Sequence, residues 1–234
     1  MEKFKMNIKH LVYKYNHAWV FLYGFIYMTW FSWLEKHVTS DYFVIHSVFD
    51  AYIPFMEIFI VPYLLWFIYV SGTVIYFFFT DKQGFYKICA LLISGMTLFL
   101  IICTVFPNGL NLRPTVFARD NIFVDLVKLI YRADTPTNVL PSLHVYNSIG
   151  CYIAIRNSEK LRQYKWVQQG SLVLTISIVL STMFLKQHSV VDVLTALILS
   201  CLSYDFIYNE RTEKIRDGLE ELKFRRKRKE FSKY

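Results

Sequence analysis

Charge is missing from long stretches of this 234-residue chain: residues 58–80, 88–112 and 166–185 contain no Asp, Glu, Lys or Arg. Runs of that length argue against a soluble domain. Cysteine is scarce. Cys89, Cys103, Cys151 and Cys201 sit in apolar runs without ligand-like spacing, so they read as small buried hydrophobes rather than a metal or redox motif. No small-residue cleavage site follows the basic N-terminus, so no signal peptide is expected. No repeat relates the first three apolar runs to the last three, and few charges lie inside them, which argues against a pore or secondary transporter. What the chain does hold is apolar: 55% hydrophobic and 18% aromatic residues. The expected class is an all-α, polytopic membrane protein with aromatic interfacial belts.

Read in order, residues 1–17 form an amphipathic, lysine-bearing segment suited to an anionic membrane surface. Residues 18–208 form a six-helix membrane domain, and residues 209–234 a basic tail. The expected transmembrane helices are 18–34, 52–79, 88–106, 141–155, 170–185 and 190–208, the fourth short and polar enough to be interior. Glu57, near the start of the second, reads as a hydrogen-bonded glutamate rather than a catalytic one. The connection 107–139 is the longest between spans, and long connections are often functional. Of the 26 lysines and arginines, 20 lie in the N-terminal segment, the second and fourth connections and the tail. The positive-inside rule then places both termini in the cytoplasm and the chain in a cell membrane. The run 225–229 in the tail is expected to bind anionic lipid headgroups. A nucleic-acid partner is disfavoured, because the basic residues are dispersed over alternate loops.

That topology brings three polar motifs to the outer face: Arg113–Pro114, Pro141–Ser142–Leu143–His144, and Ser181 with His188 and Asp192. His188 and Asp192 are four residues apart, so a helix stacks them on one face. An ionisable pair at a membrane interface marks a functional site by default. A deprotonated imidazole nitrogen is a competent nucleophile toward phosphorus. The Asp192 carboxylate would hold the other ring nitrogen and fix its tautomer. His144 is the candidate general acid and then base. Arg113, the Ser142 hydroxyl, and the free N–H groups at the start of the fourth helix, Leu143 among them, suit phosphate oxygens. Two histidines and one aspartate are too few for a metal set, and no cofactor is expected.

These residues resemble the type-2 phosphatidic acid phosphatase family, related to vanadium haloperoxidases, with its motifs K-x6-R-P, P-S-G-H and S-R-x5-H-x3-D. The resemblance runs from Arg113 to Asp192. It implies a six-span fold and lipid phosphate hydrolysis through a phosphohistidine on His188, with Ser181 among the phosphate-binding residues. The chain departs from the pattern at three points: Phe106 replaces the lysine, Thr182 the second arginine and Leu143 the glycine. Lys186 is the candidate replacement charge, with Arg119 and Arg132 as further options. The Pro-Ser-Leu-His segment is similar to the inositol-phosphorylceramide and sphingomyelin synthase branch, which implies a phosphotransferase passing a headgroup to an acceptor alcohol. A third reading is a lipid-phosphate binding or transport protein without turnover, motivated by the missing cations. In each case the expected partner is a phosphorylated lipid.

Overall fold

A computed structural model describes residues 13–208. The described part is mostly helical, with seven α-helices and one two-stranded parallel sheet. A 3-10 turn at Asn16–Leu22 leads into α1, Tyr23–His37. Strand β1, Phe43–Val44, and a short 3-10 turn, Val48–Ala51, fill the first connection. A third 3-10 turn, Glu57–Phe59, opens onto α2, Ile60–Thr80, and α3 follows at Lys82–Val105. Strand β2, Asn108–Gly109, precedes α4, Ile122–Ala133. The chain closes with α5, Leu143–Asn157, α6, Lys165–Phe184, and α7, Val190–Tyr208.

Four segments are long and apolar enough to cross a membrane: Glu57–Thr80, Lys82–Val105, Lys165–Phe184 and Val190–Tyr208. The other two expected spans fall short of that. α5 has 15 residues, about 22 Å of helix against a hydrocarbon core of about 30 Å; α1 also has 15 and continues the Asn16–Leu22 turn, but it is less apolar than the four long segments. The expected second span also starts late, because residues 52–56 are not helical and α2 begins only after the Glu57–Phe59 turn. Both the amphipathic segment (apart from its last residues, 13–17) and the basic tail lie outside the described residues.

Helix α5 is short because it is central. It packs against α2, α3, α6 and α7, so its polar residues meet protein. Val145, Tyr146, Cys151 and Ala154 on α5 join Phe85, Ile88 and Leu91 on α3, and Val193 and Ala196 on α7, in one buried cluster. Cys89, Cys103 and Cys151 are buried as small apolar groups, whereas Cys201 is exposed on α7.

The connections around α5 are stitched by hydrogen bonds. β1 pairs with β2 in parallel, Phe43 opposite Asn108 and Val44 opposite Gly109. Asn108 is fully buried, and its Oδ1 accepts from the backbone N–H groups of Val139 and Leu140 at 2.9 and 3.0 Å. That holds the chain on its way into α5. A Cβ at Gly109 would lie 2.6 Å from the Tyr42 ring and 2.8 Å from the Pro136 carbonyl oxygen, so only glycine fits there. The long connection 107–139 is therefore not one loop. It contains α4, whose N-cap Asn121 accepts from the Val124 N–H, with Asp125 in its first turn and Arg132 in its last, each matched to the helix dipole.

Candidate active site

The turn between α6 and α7 carries His188. The Thr182 carbonyl accepts from the N–H groups of both Gln187 and His188, at 2.9 and 3.0 Å. Lys186 takes a left-handed conformation, φ 52°, that reverses the chain after α6. The Asp50 carboxylate then closes the turn from the first connection. It accepts from the Ser189 hydroxyl at 2.6 Å and from the Val190 N–H at 2.8 Å, serving as an N-terminal cap for α7 from a distant part of the chain.

Asp192, in the first turn of α7, is fully buried. Its Oδ2 lies 3.4 Å from His188 Nδ1 and accepts from the Ser189 N–H at 2.9 Å. The histidine contact is long for a hydrogen bond. It assigns the proton to Nδ1 and leaves Nε2 with its lone pair free. The backbone carbonyl of Asp192 accepts from the Ser142 N–H at 3.3 Å. That bond ties the start of α5 to the start of α7 and sets His144 opposite His188.

The two imidazole centroids are 5.8 Å apart. His144 stacks on Tyr63, at 4.6 Å and 26°, and packs against Trp66 at 4.4 Å. Its Nε2 is buried and has no hydrogen-bond partner. Both histidines line a cavity of about 290 Å³ walled by aromatic residues of α1, α2 and α3 and by polar residues just before α5. Larger hollows lie between α2 and α6, but their walls are apolar and exposed, and neither His144 nor His188 lines them.

The expected phosphate-binding residues divide. Leu143 lines the cavity at the first position of α5. Ser142 caps α5, its Oγ accepting from the Val145 N–H at 3.4 Å, and is fully buried. Ser181 is buried in α6, where its hydroxyl donates to the Ile178 carbonyl at 2.7 Å. It does not line the cavity. Lys186 turns away. Its Nζ donates to the carbonyls of Asp50 and Ile53, and partial burial pulls its pKa down while Asp50 opposes the shift. Arg119 pairs with Glu57 at 3.1 Å, and Asn121 donates to the same Glu57 oxygen, so Glu57 is the hydrogen-bonded glutamate expected of it. Arg132 is exposed at the end of α4 and does not line the cavity.

Arg113 departs most from expectation. Nη1 donates to the carbonyls of Tyr131 and Asp134, at 3.2 and 2.7 Å, and Nη2 to the Thr135 carbonyl at 3.1 Å and Gln187 Oε1 at 2.6 Å. The guanidinium also lies over the Tyr131 ring and 3.7 Å from an Asp134 carboxylate oxygen. It gathers the end of α4 and the His188 turn together and sits behind the cavity wall, not in it.

Several wall residues carry no motif in the sequence. Asp134 lines the cavity; burial raises its carboxyl above the ordinary range, and Arg113 opposes the shift. Asn138 donates to Glu35 Oε1 at 2.7 Å, and the Thr135 hydroxyl donates to Glu35 Oε2 at 2.6 Å. The only available signal for Gln187 was its place beside His188, and Tyr63 and Trp66 look like any other aromatics of an apolar run. Among the described residues no group of three or more His, Cys, Asp or Glu could hold a metal ion. No family model, no curated protein and no solved structure matches the chain.

Proposed function

We propose that the protein is an integral membrane phosphatase acting on the phosphate ester of a lipid. One observation carries the reading: two imidazoles share one cavity 5.8 Å apart, and one of them, His188, is backed by a buried carboxylate. His188 Nε2 would attack phosphorus as the bond from phosphorus to the lipid oxygen breaks, with His144 protonating the departing oxygen. Water would then attack the phosphohistidine, give its proton to His144 and release phosphate, restoring His188. General acid–base assistance of this kind contributes about 10²–10⁴ in rate, and a buried aspartate holding the imidazole tautomer contributes on a similar scale.

In this reading α1 and α5 join the four long helices as short fifth and sixth spans, both termini face the cytoplasm, and the cavity opens toward the outer leaflet. α5 is sheathed by four helices, so it needs no apolar exterior of full bilayer length. The basic tail would contact anionic headgroups.

The test is phosphate release from phosphatidate by the purified full chain in detergent, with and without chelator. His188→Ala should abolish release while the variant still expresses and melts like the parent. Full activity in that variant rejects the nucleophile. A second reading, transfer of a phosphorylated headgroup to an acceptor alcohol, is favoured by the aromatic wall formed by Tyr27, Phe31, Trp66 and Phe99, which suits a lipidic acceptor better than water. Labelled diacylglycerol or ceramide recovered as phospholipid, in place of free phosphate, selects it.

A further inference from the structure

The connection between α1 and α2 is unusual in what it exposes. Residues 42–56 hold one Asp and no Glu, Lys or Arg, and that Asp, Asp50, is buried against the start of α7. What remains on the surface is apolar: Val48, Phe49 and Tyr52 are 75%, 67% and 79% exposed, and Phe43, Val44 and Met56 are exposed along the same segment. The connection between α5 and α6 is the opposite, with Glu159, Lys160 and Arg162 on its surface. The apolar side chains of residues 48–52 project from a turn that is held in place. Ser47 caps it, its Oγ accepting from the Phe49 N–H at 3.2 Å, while Asp50 Oδ2 accepts from the Ser47 N–H at 2.7 Å. Lys186 Nζ donates to the carbonyls of Asp50 and Ile53 from the other side.

Hydrogen bonds fix the level of this connection on the bundle, because they tie it to the ends of three of the four segments able to span a membrane. The Phe43 N–H donates to the Pro107 carbonyl at 2.9 Å, just past the end of α3, and the Phe43 and Phe106 rings are 5.3 Å apart. The Met56 N–H donates to the carbonyl of Phe184, the last residue of α6, at 3.1 Å. Asp50 takes the N–H of Val190, the first residue of α7. α6 has 20 residues, about 30 Å of helix, which matches the hydrocarbon core. A segment tied to its last residue therefore lies where hydrocarbon gives way to headgroups, the zone that aromatic side chains favour. We propose that the Val48–Tyr52 turn is a lipid-binding surface, seated in the boundary between headgroups and acyl chains on the histidine side of the bundle, with Val48, Phe49 and Tyr52 among the lipids. The proposal rests on the membrane reading and is independent of the phosphatase chemistry. The apolar exposure continues along α2 at Val61, Leu65 and Ile68, one stripe of the helix, so the turn extends a surface that already faces lipid in that reading.

The experiment places the full chain in phosphatidylcholine bilayers, with Cys201→Ser removing the exposed cysteine. A nitroxide is attached at Val48→Cys, Phe49→Cys or Tyr52→Cys, one at a time. Electron paramagnetic resonance then compares its collisions with oxygen, which concentrates in hydrocarbon, and with a water-soluble nickel chelate. Ile198→Cys, exposed on α7, is the lipid reference, and Glu159→Cys is the water reference. The ratio of oxygen to nickel collisions at all three positions should lie close to that at 198 and severalfold above that at 159. Ratios nearer to that at 159 overturn the inference and put the turn in water, open to a soluble partner. A ratio at 198 equal to that at 159 overturns the membrane reading as well. Phe49→Trp gives a second measurement without a label. Its added fluorescence should be quenched by lipids brominated on the acyl chain and spared by aqueous iodide, and the reverse pattern overturns the inference.

Discussion

His144 and Tyr146 stand two residues apart on α5, and their surroundings are opposite. Tyr146 is fully buried, and its hydroxyl meets the Leu91 carbonyl and the Ser203 hydroxyl, both at 2.9 Å. Its ring fills the space left by the missing Cβ of Gly95. His144, on another face of the same helix, meets a cavity, and its Nε2 has no partner. The first environment is finished without a ligand; the second is not. One helix therefore anchors the bundle on one side and, on the other, carries the proposed acid–base group into the cavity.

The largest effect that tests this contrast is on turnover. His144→Ala should act mainly on the rate, reducing lipid phosphate hydrolysis about 10²–10⁴-fold, measured as phosphate release, with the melting temperature lowered only by the packing lost against Tyr63 and Trp66. Tyr146→Phe should do the reverse, retaining the rate and lowering stability.

Next in size is Gly95→Ala. The new Cβ would lie 2.0 Å from Tyr146 Cε1, and the ring has nowhere to retreat. Overpacking of this kind destabilises by about 1–3 kcal/mol, which outweighs the gain of at most about 1 kcal/mol from replacing a helical glycine. A lower thermal midpoint in detergent is the expected result. An unchanged midpoint would mean that the Tyr146 side is less tightly built than its contacts imply.

The smallest effect belongs to Lys186→Met. The lysine donates to two carbonyls of the first connection, so its loss should lower stability by about 1 kcal/mol and leave the rate as it was. A large rise in KM would instead place the lysine on the substrate.

Much of this contrast was legible in the sequence. The i, i+4 spacing of His188 and Asp192 needs only a helix to become a contact. The unusual polarity of residues 141–155 pointed to an interior helix, as α5 is. α4 is harder to see, because it lies between two much longer apolar runs, although Asn121, Asp125 and Arg132 mark its ends. The position of Arg113 had no signature. Its partners are mainly backbone carbonyls of residues 131–135, and a carbonyl looks the same in every residue. Lys186 misled for a related reason: the charge was visible, but the left-handed bend that aims it at Asp50 and Ile53 was not.

The Asp50 carboxylate reaches the base of α7 from the connection between α1 and α2, and it seats Ser189 and Val190 one and two residues beyond the proposed nucleophile. The register of His188 against Asp192 is thus fastened by an external tether. On the proposed chemistry, Asp50→Ala would remove that tether and lower the rate of phosphate release.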